Sequence, residues 1–109
     1  MDELDAAAEN ELTFELARDG DGSPLVILGG DLDISNAEEL QTKVEPVIGG
    51  SPERLIVDVS GLRFADSSAI ALFVRWANLV RQVELREPSP LLRRLIERMG
   101  LANRLQMTP

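Results

Sequence analysis

The run Arg54-Leu-Ile-Val-Asp-Val59 is the feature that most constrains the fold of this chain. It is short, rich in β-branched residues and apolar enough to be buried on both faces, which is typical of a central strand in a parallel sheet. Parallel neighbours require crossover connections, so helical segments should alternate with strands on either side of it. The run therefore predicts an α/β fold.

The rest of the chain follows that alternation. The order predicted is β-β-α-β-α-β-α-(β), a mixed and mostly parallel sheet with right-handed crossovers, an N-terminal β-hairpin and about three helices. The hairpin pairs a half-buried strand, Leu12–Leu16, with Leu25–Leu28 across a turn that is rich in Asp and Gly. Later strands are predicted at 80–86 and 101–107. We expect one small domain over residues 12–109, preceded by a flexible acidic tail over residues 1–11.

Three serines mark the predicted helix starts. Ser35 with Glu38 fits a capping box, and Pro46 should kink or end the helix that follows. The second helix starts near Ser67, and Asn78 is its expected C-cap. Ser89, as N-cap before Pro90, starts the third helix.

Composition excludes several classes of function. The 109 residues include no Cys, His or Tyr, so a thiolate or histidine metal site and a serine–histidine hydrolase cannot be built. The net charge of −8 argues against nucleic acid and anionic lipid as partners. The first 50 residues carry 13 acidic and 2 basic side chains (−11), and residues 51–109 carry 6 and 9 (+3), which sums to −8. We find no signal peptide or bilayer span, and we expect a cytoplasmic protein without cofactor or metal.

The stretch Asp66-Ser67-Ser68 is the main candidate site. Asp66 can cap the first turn of the second helix, which presents two hydroxyls at the positive end of the helix dipole. A phosphate attached there would meet free backbone N–H donors. The alternative is that the run is only an N-cap, and spacing alone favours that reading.

Other polar residues allow two interpretations each. Asp31 and Asp33 follow the second strand and could coordinate Mg²⁺ or recognise a basic partner, or they could be solvated turn residues. The stripe Arg93, Arg94 and Arg98 is expected to be a solvated face. Trp76 is expected to pack partly buried.

Four sequence blocks in one order resemble the STAS domain, and within it the bacterial anti-sigma factor antagonists. The blocks are Gly30-Asp-Leu-Asp33, Leu55-Ile-Val-Asp-Val-Ser-Gly-Leu62, Asp66-Ser-Ser68, and Pro88-Ser-Pro90 with Met99-Gly-Leu101. The resemblance covers roughly residues 12–107, which is nearly the whole chain.

The resemblance implies a binding protein rather than an enzyme. Such an antagonist binds an anti-sigma factor that is a serine kinase and frees the sigma factor, which regulates transcription indirectly. The kinase phosphorylates one serine at the start of the second helix, which breaks the complex, and a phosphatase restores it. Carried over, Ser67 is the phosphoacceptor, and the partner-binding residues are Asp31, Asp33, Asp66, Ser68 and Ala69.

At Ala69 the family usually has Gly, so the chain adds a methyl at a surface that the kinase approaches closely. A weak homodimer is also expected. A second hypothesis is a cytoplasmic STAS accessory subunit of a transporter, such as a lipid-trafficking ABC complex, that docks an ATPase with the same surface. A third, an enzyme using Asp31, Asp33 and Asp66, ranks far lower because no nucleophile–base pair is visible.

Overall fold

The structure is a computed structural model that describes residues 11–50 and 52–109. The predicted tail therefore lies outside the described residues, except for Glu11. The element order is confirmed as the following: β1 (Thr13–Arg18), β2 (Pro24–Leu32), α1 (Ala37–Ile48), β3 (Arg54–Ala65), α2 (Ser67–Leu79), β4 (Gln82–Arg86), α3 (Pro90–Arg98) and β5 (Leu105–Thr108).

The five strands form one mixed sheet in the order β1-β2-β3-β4-β5. β1 is antiparallel to β2, and all other neighbours are parallel. Since each right-handed crossover steps to the next strand in the same direction, the three helices share one face of the sheet. Their buried side chains form a single core with Leu55, Val57 and Val59 of β3. The predicted mixed sheet with its hairpin and three helices is confirmed.

The open face of the sheet is covered by charges instead of helices, which corrects the expectation that β3 is apolar on both sides. Ile56 is fully buried there, but the flanking Arg54 and Asp58 are half-buried. Glu84 of β4 accepts hydrogen bonds from Arg54 Nη1 (3.2 Å) and from Arg86 Nε (3.3 Å). Asp19, from the hairpin turn, accepts from the same two arginines. This ionic cluster ties the β1–β2 turn to the centre of the sheet.

The pKa of Arg86 reflects that environment. Burial by itself lowers the pKa of its guanidinium, but hydrogen bonds to Asp19 and Glu84, and their charges, outweigh burial and raise it. Arg86 therefore remains a cation in the cluster.

Several strands differ from their predicted form. β2 continues past Leu28 to Leu32 and so contains Asp31, and β5 begins only at Leu105. β1 is an edge strand, and its Phe14 and Leu16 side chains are 37% and 40% exposed. The sequence had predicted that this apolar side of the strand would be buried. β3 was predicted to end at Val59 and continues to Ala65, still paired with β2. This continuation needs Gly61, because a Cβ at that position would lie 2.9 Å from the Leu28 carbonyl oxygen of β2.

The helix ends show which capping predictions hold. Ser89 Oγ accepts from Leu92 N (3.1 Å), as predicted. The capping box at Ser35 is wrong: Ser35 N and Oγ both donate to Asp33 Oδ1, and α1 begins only at Ala37. Asp33 lies two residues before Ser35 and accepts both of its hydrogen bonds, so the Ser35 hydroxyl does not form the predicted capping box with Glu38.

Two predicted helix terminations are also wrong. The prediction for Pro46 was a kink or an end, and the end is wrong, since Pro46 lies inside α1, which continues to Ile48. Asn78 is not the C-cap of α2: the helix continues to Leu79, and the Val80 N–H closes it by donating to the Trp76 carbonyl oxygen. Asn78 Oδ1 instead accepts from Arg104 Nη2.

We expect the ionic cluster to stabilise the fold through Glu84. Glu84→Gln removes the charge that faces two arginines in a site where the side chain is 8% exposed. The substitution should lower the free energy of unfolding by about 2 kcal/mol. Glu15→Gln, at an exposed position of β1 on the same face, should change it by less than about 0.5 kcal/mol. Urea unfolding of both variants measures the difference, and equal stabilities would contradict a structural role for the cluster.

Candidate functional site

The Asp66 carboxylate joins the two loops that carry the candidate residues. Its Oδ1 accepts from Ser68 N (2.8 Å) and Ala69 N (3.3 Å), which caps α2 as the sequence predicted. Its Oδ2 accepts from Ile34 N (3.3 Å) in the loop between β2 and α1. The Asp66 N–H donates to the Leu32 carbonyl oxygen at the end of β2. Both oxygens and the N–H of one residue therefore hold the two loops together.

The two serines after Asp66 differ in exposure. Ser67 is exposed at the first position of α2, and Ser68 is half-buried. Fewer backbone N–H groups are free at this helix start than the sequence predicted, because the Asp66 carboxylate already accepts from Ser68 N and Ala69 N. In the described residues only the Ser67 N–H of this helix start has no acceptor. A group attached to Ser67 would meet one free donor rather than several.

Asp31 and Asp33 lie beside this helix start but have different roles. Asp33 Oδ1 accepts from Ser35 N (2.9 Å) and Ser35 Oγ (2.5 Å), so this carboxylate orders its own loop. Asp31 is paired in register with Phe64 of β3, which places it at the same edge of the sheet as Ser67. Both aspartates line one groove with Glu11 and Glu39. The groove is strongly acidic.

The structure gives no support to the metal and enzyme hypotheses for these aspartates. Across residues 11–50 and 52–109, no group of three or more acidic side chains is arranged to hold a metal ion. The Asp66 carboxylate is occupied by three backbone N–H groups, which leaves it poorly placed to act as a general base.

Ala69 corrects one expectation about the partner surface. Its side chain is fully buried and belongs to the hydrophobic core under α2. The Ala69 methyl is therefore absent from the protein surface, and the expectation that it contacts a partner is wrong. Sequence position suggested exposure because Ala69 follows two hydroxyls, but the third residue of the helix turns toward the sheet.

Exposed apolar residues around Ser67 are the part of the site that the sequence reading missed. Ile34, whose N–H contacts Asp66, is 80% exposed, and Phe64 is 52% exposed. Ile34 stands in a loop between Asp33 and Ser35, and that isolation among polar residues is the signal that could have identified it. Phe64 is flanked by Arg63 and Ala65 and gives no such signal. Trp76, in contrast, is fully buried and packs with Phe73 at a ring-centroid distance of 6.0 Å.

A family model agrees with this architecture. The model described as "Mlab, STAS domain" matches residues 16–109. The chain belongs to the STAS-domain family. No curated protein matches it.

Solved structures share the fold of this STAS domain at low sequence identity. An anti-sigma factor antagonist from Mycobacterium paratuberculosis is 23% identical with a TM-score of 0.81, covering 92% of this chain and 87% of the other. The Bacillus cell fate determinant SpoIIAA in its phosphorylated form is 24% identical with a TM-score of 0.70, covering 89% and 92%. A putative antagonist from Thermotoga maritima is 18% identical with a TM-score of 0.72, covering 86% and 84%.

Among the described residues, the helices of this STAS domain are too short or too polar to cross a bilayer.

The arginine stripe of α3 is not one uniform face, since Arg93 is half-buried and Arg94 and Arg98 are exposed.

We expect Asp66 to stabilise the STAS domain through its cap and its link to Ile34. Asp66→Ala removes both and should lower the free energy of unfolding by about 1–2 kcal/mol. Asp66→Asn keeps one carbonyl oxygen as acceptor and should lose less. Thermal unfolding measures both variants, and an Asp66→Ala protein as stable as the unmodified chain would show that the two loops are held by other contacts.

The burial of Ala69 gives a second prediction. Ala69→Gly and Ala71→Gly impose the same loss of helix propensity within α2, but only position 69 is buried. Ala69→Gly should therefore cost about 1 kcal/mol more, because it also removes a buried methyl. Denaturant titration of the pair measures this difference. Equal costs would mean that Ala69 is more accessible than its position indicates.

Proposed function

We propose that this STAS domain, residues 12–109, is an anti-sigma factor antagonist. It binds an anti-sigma factor that is a serine kinase, acts in the cytoplasm without a cofactor, and is switched off by phosphorylation of Ser67. The observation that carries the proposal is an exposed serine at a capped helix start, with exposed Phe64 three residues before it and exposed Ile34 bonded to its capping aspartate. A phosphatase reverses the switch, and any homodimer is weak.

The apolar residues around Ser67 suit protein binding. Ile34 and Phe64 offer side chains that lose exposed area when a partner covers them, and such residues supply much of the binding energy of an interface. Ser67 directly follows Asp66, whose Oδ2 accepts from Ile34 N (3.3 Å), so a kinase that covers Ile34 would lie next to the Ser67 hydroxyl. Asp31, Asp33 and Ser68 then form the polar border of the contact.

Phosphorylation of Ser67 would oppose this contact through charge. A phosphoserine adds about −1.5 to −2 charges. Asp66 lies directly before it and has already taken two first-turn N–H groups, so little of the added charge is neutralised by backbone donors. The phosphate would repel an acidic partner surface and would lose its hydration against an apolar one, while the helix dipole keeps the fold tolerant of it. The switch is local and needs no rearrangement of the sheet.

The experiment is capture of partners from native extract, followed by phosphorylation. The full chain should retain an ATP-binding serine kinase, and addition of ATP should place one phosphate on Ser67, mapped by mass spectrometry. Ser67→Ala should abolish labelling, and the neighbouring control Ser68→Ala should keep it. Ser67→Asp should lose the kinase while its free energy of unfolding changes by less than about 1 kcal/mol. Labelling that maps to Ser68, or that survives in Ser67→Ala, would refute the assignment.

A second candidate function is an accessory subunit that docks a transporter ATPase with the same surface. The observation that favours it is that the matching family model is the Mlab type of STAS domain, while the antagonist structures are less than 25% identical and share only the fold. The same capture experiment separates the two. A transporter ATPase in place of a serine kinase, with no phosphate on Ser67, would support the subunit.

A further inference from the structure

β3 has a free edge near the candidate site. Its pairing with β4 stops at Asp58, which lies opposite Arg86, whereas its pairing with β2 continues to Ala65. From Val59 to Ala65, therefore, one edge of β3 has no strand beside it in the part of the chain that the structure describes. Unpaired edges of this kind accept an added strand from another protein.

An apolar groove runs along this edge. It is lined by Leu62 and Phe64 of β3 and by Leu91 and Leu95 of α3. Leu91 is 74% exposed, which makes it the second most exposed large apolar side chain after Ile34 among the described residues. A leucine this exposed beside a free strand edge provides both an apolar contact and backbone hydrogen-bonding groups.

The border of the groove is positively charged, although the chain as a whole carries −8. Arg63 lines it from β3. Arg94 and Arg98 follow Leu91 and Leu95 by three residues, so they lie along the same side of α3. Glu97 follows Arg94 by three residues, so the border also holds one carboxylate beside its two arginines on α3. Arg93 lies on the far side of the helix and lines a separate depression near Arg81 and Gln106. Among residues 11–50 and 52–109, no carboxylate lines the groove itself.

We propose that this groove binds an extended acidic peptide of a partner protein. The main chain of the peptide pairs with the free edge of β3, an aliphatic side chain lies between Phe64 and Leu91, and its carboxylates face Arg63, Arg94 and Arg98. The partner's acidic charge follows from the basic border, since an uncharged or basic segment would leave three arginines uncompensated. The groove shares Phe64 with the surface proposed around Ser67, but binding there does not require Ser67 to be phosphorylated, so the two proposals can fail independently.

The test uses the full chain and a labelled peptide, acetyl-Glu-Asp-Leu-Glu-Leu-Glu-Asp-amide, in fluorescence anisotropy. The unmodified chain should bind the probe, and affinity should fall as salt is raised. Leu91→Ser and Arg94→Glu should each weaken binding by at least about tenfold, because one removes apolar contact area and the other reverses a facing charge.

Matched controls separate the groove from general effects. Leu79→Ser also replaces an exposed leucine, and Arg93→Glu reverses the charge on the far side of α3; both should bind within about twofold of the unmodified chain. Ser67→Ala should bind equally well, so failure here is distinct from failure of the phosphorylation proposal. A probe in which lysines replace the acidic residues should not bind. Controls that weaken binding as much as the groove variants would overturn the proposal.

Two other occupants would also overturn it. A peptide copying residues 1–10, which are acidic and contain Leu4, is titrated in parallel. If it binds more tightly than the probe and depends on Leu91, the occupant is a segment of this chain. If sedimentation shows a dimer that Leu91→Ser dissolves, the groove is a contact between two copies.

Discussion

The Asp66 carboxylate is the interaction on which the candidate site depends. With three backbone N–H groups as donors, it fixes where α2 begins and how the β2–α1 loop lies against it. Ser67 is held at an exposed position because the residue before it is immobilised. Ile34 is presented beside Ser67 because its own N–H is one of the three donors. A single side chain thus positions both the exposed Ser67 and the apolar Ile34.

The unequal lengths of β3 and β4 leave part of β3 without a neighbouring strand on one side in the described residues. β4 has five residues and β3 has twelve, so β3 projects past its neighbour and leaves an edge open toward α3. The projection carries Arg63 and Phe64, and α3 adds Leu91 and Arg94. The opposite face of the sheet is closed by the cluster around Glu84, which places charges where helices are absent. The two faces of the domain are therefore specialised: one packs helices, and the other is held by ion pairs.

Much of this could be predicted from residue patterns, and the exceptions have physical causes. The order of elements, the Ser89 cap and the Asp66 cap follow from local rules, since their partners lie within a few residues. The Ser35 capping box does not form because Ser35 N and Oγ both donate to the Asp33 carboxylate. The end of β3 was missed because Ser60 and Gly61 are residues typical of a loop, yet β2 pairs with Gly61 and with the residues that follow it to Ala65. Ala69 was misplaced because helix phase, not proximity to Ser67, decides which side chains are buried.

The amino-acid sequence by itself determined the α/β alternation, the helix starts at Ser67 and Pro90, and the absence of thiol and imidazole chemistry. These depend on periodicity, short-range hydrogen bonds and composition, which are all local properties. The tertiary structure alone decided that Ile34 and Phe64 are exposed near the start of α2 and that Glu84 is buried between two arginines. It also decided that β3 has an edge with no neighbouring strand in the described part of the chain. Each of these depends on which distant segments pack together, and the free energy of such contacts is not contained in any short stretch of the chain.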